Sequence, residues 1–474
     1  MGDYRIVIDQ STTSTKAILY KQVDDFIKKI SRVDKKHKQI YPKKGWVEHD
    51  PLEIIDNLKF VIDKVIKDNG LDYSDIQSIS ITNQRESILV WNKKTLKPYC
   101  NIMVWSCNRS KSIIEELKKQ DLNNIINQKT GLILDTYFSA SKLKWFFDNN
   151  KLNENNFDNI AVGTIDTWII NNLSDQHLFV TEDSNACRTM LYNINTKDWD
   201  YELLDIFNVP KNSLAKIQNS KSDFGKYKNI PIVSVLADSQ SALIGNDCKK
   251  KGDIKATLGT GCSIMMNTGD EIISSDKLLS TVALHSDKTI YALEGIIRSF
   301  SDILNWEKDS LKLFNTYEEA TKCFDEVDNN GVYFIPALEG LSTPYWDFNL
   351  KGSFRGMTRD TNYKHLIRSS FESLAYQIKS IVDKFEETEG IIINEINLDG
   401  GVTKNKSFLK FLSNLLEKNL VISSNEEASA LGTLILLGLK VHNEKKEVIK
   451  SEGYNYAKEY LQWENYILGD KNEI

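Results

Sequence analysis

Long apolar runs are missing from this chain of 474 residues. The longest, such as LGTLILLGL, falls far short of the roughly 20 residues a membrane-crossing helix needs, so no span is expected. The start, MGDYRIVIDQ, has neither the charged region nor the apolar core of a signal peptide and reads directly as a strand. An excess of basic charge is also missing. The formal net charge is -6 and no Lys/Arg block stands out on a helix face, which argues against a nucleic-acid partner. The six cysteines (100, 107, 187, 248, 262 and 323) form no CxxC and have no histidine partner at metal spacing. That argues against zinc and suits a reducing, cytoplasmic setting. The six histidines are dispersed, which gives a His-based nucleophile triad little support. Neither GxxxxGK[ST] nor GxGxxG occurs, so the chain is not a P-loop protein. No low-complexity linker interrupts it. Lys/Asn-rich stretches such as FDNNKLNENNFDN read as solvated loops and helix ends.

What remains is an ordinary globular composition, 41% hydrophobic and 27% charged, in a chain long enough for two or more domains. The runs YRIVID, KAILYK and DDFIKKISRV read as successive strands. DPLEIIDNLKFVIDKVIKDNG then has apolar residues at helical spacing, with Asp50 as N-cap, Pro51 at N1 and Gly70 past the end. IQSISIT follows as a buried strand, and SILVWNKKTLKPY as a strand leading into a turn. This β-β-β-α-β order predicts a mixed sheet with crossover helices. An echo begins at Asp253, where DIKATLGTGCSIMMNTG is again strand, polar turn, strand. It is followed by the strands TVALH and TIYALEGII, a helix over FSDILNWEKDSLKLF, a long helix over HLIRSSFESLAYQIKSIVDKFEE and the strand INEINLDGG. The pattern suggests an internal duplication. The polar, Gly-containing IGNDCKKKGD marks a boundary near 244–252, giving domains at 1–245 and 246–474.

Four polar turns close apolar runs: Asp9 to Lys16, Leu236 to Gln240, Leu258 to Ser263, and Leu398 to Asn405. Glycine permits close backbone approach, and Thr/Ser hydroxyls with open N–H groups suit phosphate oxygens. A helix start after Gly400-Gly401 favours a phosphate or a nucleotide edge. Taken singly, each is more simply just a turn. Asp238, at a strand's C-terminal end, reads either as a helix N-cap or as a general base. Asp9 suits a divalent cation held through water.

Several longer stretches carry a resemblance. They are IYPKKGWVEHDP (40–51), ITNQRES (81–87), VWSCNRS (104–110), TGLILDTYFSASKLKWFFDN (130–149), GTIDTW (163–168) and SNACRTMLYNI (184–194). In the second half they are LGTGCSIMMNTGD, YALEG, LSTPYWD, GSFRGMTRDTNYKHLIRSSFE (352–372) and LDGGVTKNKSFL. Over nearly its whole length the chain resembles the FGGY carbohydrate kinases, and among them the glycerol kinases.

The resemblance implies an α/β fold of two ribonuclease-H-like domains of the hexokinase/actin type, with mixed sheets flanked by helices and an interdomain cleft. The polyol site and base fall in the N-terminal domain and adenine nucleotide binding in the C-terminal one. The implied reaction is ATP-dependent, Mg²⁺-assisted phosphorylation of glycerol to sn-glycerol 3-phosphate. Asp238 matches the base and Asp9 the acid that holds Mg²⁺. Arg85, Glu86, Trp105, Tyr137, Asp238 and Ser239 fall at the polyol pocket. Thr12, Thr13, Ser14 and Lys16 match the first phosphate hairpin, Gly259 and Thr260 the second. Ser301, Asn305, Gly401 and Asn405 fall around the nucleotide. A homodimer or homotetramer is common in the family, though no residue here selects one.

Some positions depart from the pattern. Ser11 stands where the family nearly always has Gly in the first turn, so a left-handed backbone or a close phosphate approach there would carry a cost in ATP affinity or rate. Ser239 and Ser263 replace the usual Gln and Phe, which reads as a roomier, more polar pocket and keeps open an FGGY kinase for erythritol or a pentulose. Ser301 and Asn305 stand where Gly and Gln are usual. The loop that binds fructose bisphosphate in some members is absent, DFGKYKNIPI being short there, as is the His-bearing loop used for phosphoryl-transfer regulation. A nucleotide-binding regulatory protein without catalysis is the reading from another class, with Ser11 as its only support. Trp46, Trp168, Trp346 and Trp463 are expected to pack, Cys107 and Cys262 to be bystanders, and GYNYAKEYLQWENYI to form a helix with a buried aromatic face.

Overall fold

β-branched and aliphatic residues buried on both sides make the first two strands central ones. In the computed structural model, which describes residues 3–150, 158–423, 427–441 and 446–469, Tyr4–Gln10 (β1), Ser14–Val23 (β2) and Phe26–Lys36 (β3) form an antiparallel meander. The centre of FDNNKLNENNFDN lies outside the described residues. Helix Pro51–Asp68 (α1) follows, with Asp50 accepting the N–H groups of Leu52 and Glu53 as its N-cap. Ile76–Asn83 (β4) then pairs parallel to β1, and Ile230–Ala237 (β5) parallel to β4. The sheet order is β5-β4-β1-β2-β3, flanked by the short edge strands Lys226–Tyr227 and Lys440–Val441.

One face of this sheet offers Ile6, Ile8, Ile79 and Ile81 to Ile54, Leu58, Val61, Ile62 and Val65 of α1. The other gives Val7, Ile18 and Tyr20 to Ala430, Leu431 and Leu434 of the helix Ala428–Ile435. Each fully buried aliphatic side chain contributes about 1.5–3 kcal/mol, so a sheet covered on both faces holds its strand ends in fixed register. Trp168 is wholly buried and packs edge-on against Trp91 at 5.3 Å, as expected of a core residue.

The chain divides into two compact units. The first comprises Met1–Asp247, Thr268–Ala292 and Glu427–His442, and the second Cys248–Asn267, Leu293–Glu426 and Asn443–Ile474. In the second, Ile254–Leu258 (β6) and Cys262–Gly269 (β7) form the repeated hairpin, and Thr289–Ile297 (β8), whose second half lies in this unit, follows β7 in the sheet. Glu395–Asp399 (β9) pairs parallel to β6, and Asn419–Ile422 (β10) parallel to β9. The order β10-β9-β6-β7-β8 repeats that of the first unit, which is the duplication expected from the two polar-tipped hairpins. Tyr363–Glu389 (α5) is the long helix expected there. The segment Ala457–Gly469 is helical and buries Tyr460, Trp463 and Ile467. One expectation is corrected. FSDILNWEKDSLKLF is not one regular helix: Asp302–Trp306 (α4) is α-helical, Glu307–Leu311 widens into a π turn, and Lys312 ends it with φ 56°. Glu307 is buried in that turn, where it accepts from the Ser370 hydroxyl and where burial pushes its carboxyl up to about 8.

The helix Asp238–Gly245 (α3, after Ser139–Asn149, α2) packs closely on Ala428–Ile435 through two glycines. A Cβ on Gly432 would sit 1.9 Å from the Ser241 carbonyl oxygen, and one on Gly245 the same distance from that of Ala428. The clash is with backbone, so it is not relieved by a rotamer change. Gly432→Ala is expected to destabilise the first unit by about 3 kcal/mol, as overpacking does. Urea unfolding checks this: the midpoint should fall with the slope unchanged, and an unaltered midpoint would contradict the packing.

Candidate active site

Three parallel strands, β1, β4 and β5, end side by side, because Asp9 lies opposite Thr82, Gln10 opposite Asn83, and Ala237 opposite Asn83. Chemistry-bearing side chains cluster where parallel strands of an open sheet end. Asp9, the pair Arg85-Glu86, and Asp238 all stand at or just past those ends.

Asp238 is the first residue of α3 and accepts the N–H of Ser239 at 2.7 Å. The N-cap reading of Asp238 is corrected: Ala237 is the N-cap and no side chain caps the helix, because Asp238 is already its first residue, where it remains accessible with 35% of its side chain exposed. The protein around it still disfavours charge. Desolvation, with smaller contributions from Glu86 and Asp9, outweighs the nearby Arg85 and raises its carboxyl to about 6. A carboxylate so tuned is ionised at neutral pH yet more basic than an ordinary aspartate.

In a regular strand, neighbours point to opposite faces, so Arg85 and Glu86 would diverge. They do not, because β4 has ended at Asn83 and Glu86 adopts φ 58°. The Ser87 N–H bonds the Arg85 carbonyl at 2.6 Å, closing a three-residue turn of the γ type. A non-glycine residue held in left-handed backbone is a local strain, maintained here by its surroundings. Arg188 donates to Glu86 Oε1 at 2.8 Å, and the Ser139 hydroxyl donates to the Glu86 carbonyl at 2.8 Å. Arg85 Nε lies 3.5 Å from Glu86 and 3.6 Å from Asp238, while its Nη1 donates to Gln240 at 3.3 Å. The result is a guanidinium between two carboxylates, one buried and one reachable.

Trp105 and Tyr137 form the apolar side, with ring centroids 5.4 Å apart. Trp105 is half-buried rather than plain core. Tyr137 precedes α2, and its turn is gathered by Lys142, whose buried ammonium donates to the carbonyls of Thr136, Tyr137 and Phe138 at 2.6, 2.9 and 3.1 Å. A cation in the first turn of a helix opposes the helix dipole, so these three carbonyls are what stabilise it there.

The first polar turn is shaped by its own side chains. The Ser11 N–H and hydroxyl both bond the Ser14 carbonyl, at 2.9 and 3.0 Å. Ser11 does not adopt left-handed backbone, so the strain expected of a serine in place of glycine does not arise. Thr12 and Ser14 are half-buried and Thr13 is exposed. Lys16, opposite Asp9 in the β1–β2 register, donates to it at 2.6 Å. Burial disfavours the ammonium, but its pairing with Asp9 outweighs this and holds its pKa above the usual lysine value.

Sequence reasoning missed the supporting layer. Gln240 fixes Arg85, while its amide nitrogen is spent on Thr281 and the Val282 carbonyl. The segment Glu182–Arg188 backs the strand ends: Ala237 N–H donates to the Ser184 hydroxyl, which donates to Glu182, and Asn83 donates to Asn185. Buried among these and beside Asp183, the Glu182 carboxyl is pushed up to about 8. The only signal for this layer was the polar density of SNACRTMLYNI in an otherwise apolar context.

In the second unit, Gly259, Thr260 and Ser301 come together. Phe300 N–H bonds the Thr260 carbonyl at 2.9 Å, and Ser301 N–H that of Gly259 at 3.4 Å. Gly400 has φ 97°, and a Cβ there would lie 2.4 Å from the Leu258 carbonyl oxygen, so only glycine fits beside the hairpin. Gly401 is open, with no atom within 4 Å of a built Cβ, and begins a 3₁₀ turn before the helix Lys406–Leu416 (α6). The Asn405 side chain is engaged at both ends: it caps α6 through Phe408 N–H and donates to Thr321. Asn305 accepts from the Tyr317 hydroxyl. Ser263 donates to buried Glu294 at 2.8 Å. Cys107 and Cys262 are buried, and burial pushes the Cys262 thiol up, so it is no nucleophile.

A carboxylate of raised pKa thus stands beside an arginine–glutamate pair and an aromatic wall, in a duplicated two-unit α/β fold. Residues 4–245 match the FGGY family of carbohydrate kinases, N-terminal domain, and residues 254–440 its C-terminal domain. The chain is 40% identical over 474 aligned positions to a glycerol kinase of Bacillus velezensis, covering 97% of this chain and 95% of that one. It is 39% identical over 447 to a glycerol kinase of Shewanella frigidimarina, covering 92% and 89%. Among solved structures, Plasmodium falciparum glycerol kinase with ADP superposes with a TM-score of 0.88 at 32% identity, covering 100% of this chain and 99% of that one. The chain belongs to the FGGY family of carbohydrate kinases.

Proposed function

We propose that the protein phosphorylates glycerol at the expense of ATP, releasing sn-glycerol 3-phosphate and ADP. The observation that carries this reading is Asp238, raised to about 6 and paired across Arg85 with Glu86. Adjacent hydroxyls of a polyol can each accept from Arg85 and donate to Glu86 or Asp238, while Trp105 and Tyr137 cover the C–H edge. Asp238 takes the proton of the primary hydroxyl as its oxygen attacks the γ-phosphorus, and ADP leaves. Thr12, Thr13, Ser14 and Lys16 are assigned to phosphate oxygens in the first unit, and Gly259 and Thr260 in the second. Ser301, Asn305, Gly401 and Asn405 are assigned to the nucleoside, Asn405 by its backbone because its side chain is engaged.

Mg²⁺ fits this donor set. Among the described residues no group of three His, Cys, Asp or Glu could cage a metal, and Asp9 offers a single carboxylate. That suits a cation that keeps its waters and takes its remaining ligands from phosphate. When bound, Mg²⁺ supplies charge neutralisation on the phosphates. The cytoplasmic reading rests on six cysteines with no disulfide among the described residues, in line with a reducing compartment. No helix among the described residues is long and apolar enough to cross a membrane.

Ser239 beside the base motivates a second reading, a kinase for a longer polyol or ketose. A substrate panel decides between them. Initial rates of ADP formation with glycerol, erythritol and xylulose should give glycerol the highest kcat/KM. A higher value for either other substrate would make that class the substrate.

A further inference from the structure

Thr12 receives hydrogen bonds from two directions. The Trp105 indole N–H donates to its hydroxyl oxygen at 3.0 Å, and the Gln39 amide donates to its carbonyl at 2.9 Å. Both polarities are forced, because indole has only a donor and a carbonyl only accepts. With Gln39 Nε2 so engaged, its Oε1 faces His49 Nε2 at 2.9 Å and must be the acceptor there. His49 is fully buried and lies 4.5 Å from the His37 ring. Burial, then His37, holds its imidazole neutral, with a pKa near 3, and its proton is therefore on Nε2. The His37 N–H adds a bond to the Thr13 carbonyl at 3.3 Å. Proton donation therefore reaches Thr12 by two separate routes, from His49 through Gln39 to its carbonyl and from Trp105 to its hydroxyl.

The consequence concerns the Thr12 proton. Its oxygen already accepts from Trp105, and among the described residues no group accepts from it. The hydroxyl is left as a donor, half-exposed, on the turn assigned to phosphate. We infer that Trp105 is a positioning residue for phosphate as well as a wall of the polyol pocket: its indole N–H orients the Thr12 hydroxyl to donate to a phosphate oxygen. One side chain thus links the polyol side to the phosphate side within the first unit. This rests on the reading of Thr12 as a phosphate contact.

Trp105→Phe keeps an aromatic wall and removes only the donor. With ATP and glycerol as substrates, it should raise KM for ATP or lower kcat about fivefold, the size of one neutral hydrogen bond, and change the KM for glycerol less. Thr12→Val should show the same defect, Thr12→Ser should recover most of it, and the double variant Trp105→Phe/Thr12→Val should be no worse than Thr12→Val alone. Impaired Thr12→Val with full kcat and ATP KM in Trp105→Phe, or additive losses in the double variant, would overturn the link. Unimpaired Thr12→Val would instead overturn the phosphate assignment beneath it. If Trp105→Phe does not fold, benzothienylalanine at position 105, which keeps the ring shape and lacks only the N–H, makes the same test: a raised ATP KM or lowered kcat supports the link and unchanged values oppose it.

Discussion

Asp238→Asn should lose about 10³-fold in kcat while still binding ATP and glycerol, because removal of a general base typically costs between 10² and 10⁴. It should also melt at a higher temperature than the wild type near neutral pH. The sign follows from the raised carboxyl. The folded protein keeps this proton up to about pH 6, whereas the unfolded chain gives it up near the ordinary aspartate value of 3.8. Ionising Asp238 in the fold therefore costs stability, a cost that sets in as pH rises from the unfolded value through 6 and is absent below it. A third of the side chain is exposed, so the gain is modest. For the wild type, kcat/KM should rise with pH through about 6 to a plateau, as a base does when it loses its proton. Stopped-time assays of ADP, calorimetric titration and thermal melts check the three parts. An active variant removes Asp238 as the base. An inactive variant that melts lower would point to a damaged fold instead.

Arg85→Leu is the second large effect. Its side chain is 3% exposed and its positive charge stands between Glu86 and Asp238. Removing one partner of a buried charged set typically costs about 3–5 kcal/mol, because the other charges stay buried. If that loss appears in transition-state binding, kcat/KM for glycerol falls about 10²–10³-fold. Arg85 also holds the Asp238 carboxyl down against burial, so its loss should move the rise in the pH profile to higher pH. A steady-state pH series on the variant measures both. An unchanged KM together with an unmoved pH profile would show that the pair acts on neither polyol nor base.

Much of this site was legible in the sequence because it lies at the ends of strands whose apolar runs are unmistakable. Asp9 follows IVI and Asp238 follows IVSVLA, and the parallel register brings both to the strand ends just before Arg85. The duplication could be read in the same way, from two hairpins with polar tips. The convergence of Arg85 with Glu86 could not be read, since it depends on one left-handed residue held by Arg188 and Ser139 from distant segments. The same holds for Gln240, Gln39 and His49, whose partners are set by tertiary contacts rather than by local pattern. FSDILNWEKDSLKLF reads as one continuous helix, but residue pattern does not register a buried carboxylate, and the helix widens at Glu307. At Ser11 only one of the two costs read from residue type is removed: its backbone is not left-handed, and the turn is closed through the Ser11 hydroxyl and N–H on the Ser14 carbonyl.

The identity of the product tests the central claim most directly. The wild-type protein, incubated with ATP, Mg²⁺ and glycerol, can be followed by phosphorus NMR, with oxidation by a dehydrogenase specific for sn-glycerol 3-phosphate assigning the enantiomer. The predicted result is a phosphomonoester on a terminal carbon of glycerol, the 3-phosphate of the sn series, formed in step with ADP. ADP accompanied by inorganic phosphate alone, or no glycerol-dependent ADP at all, would contradict it.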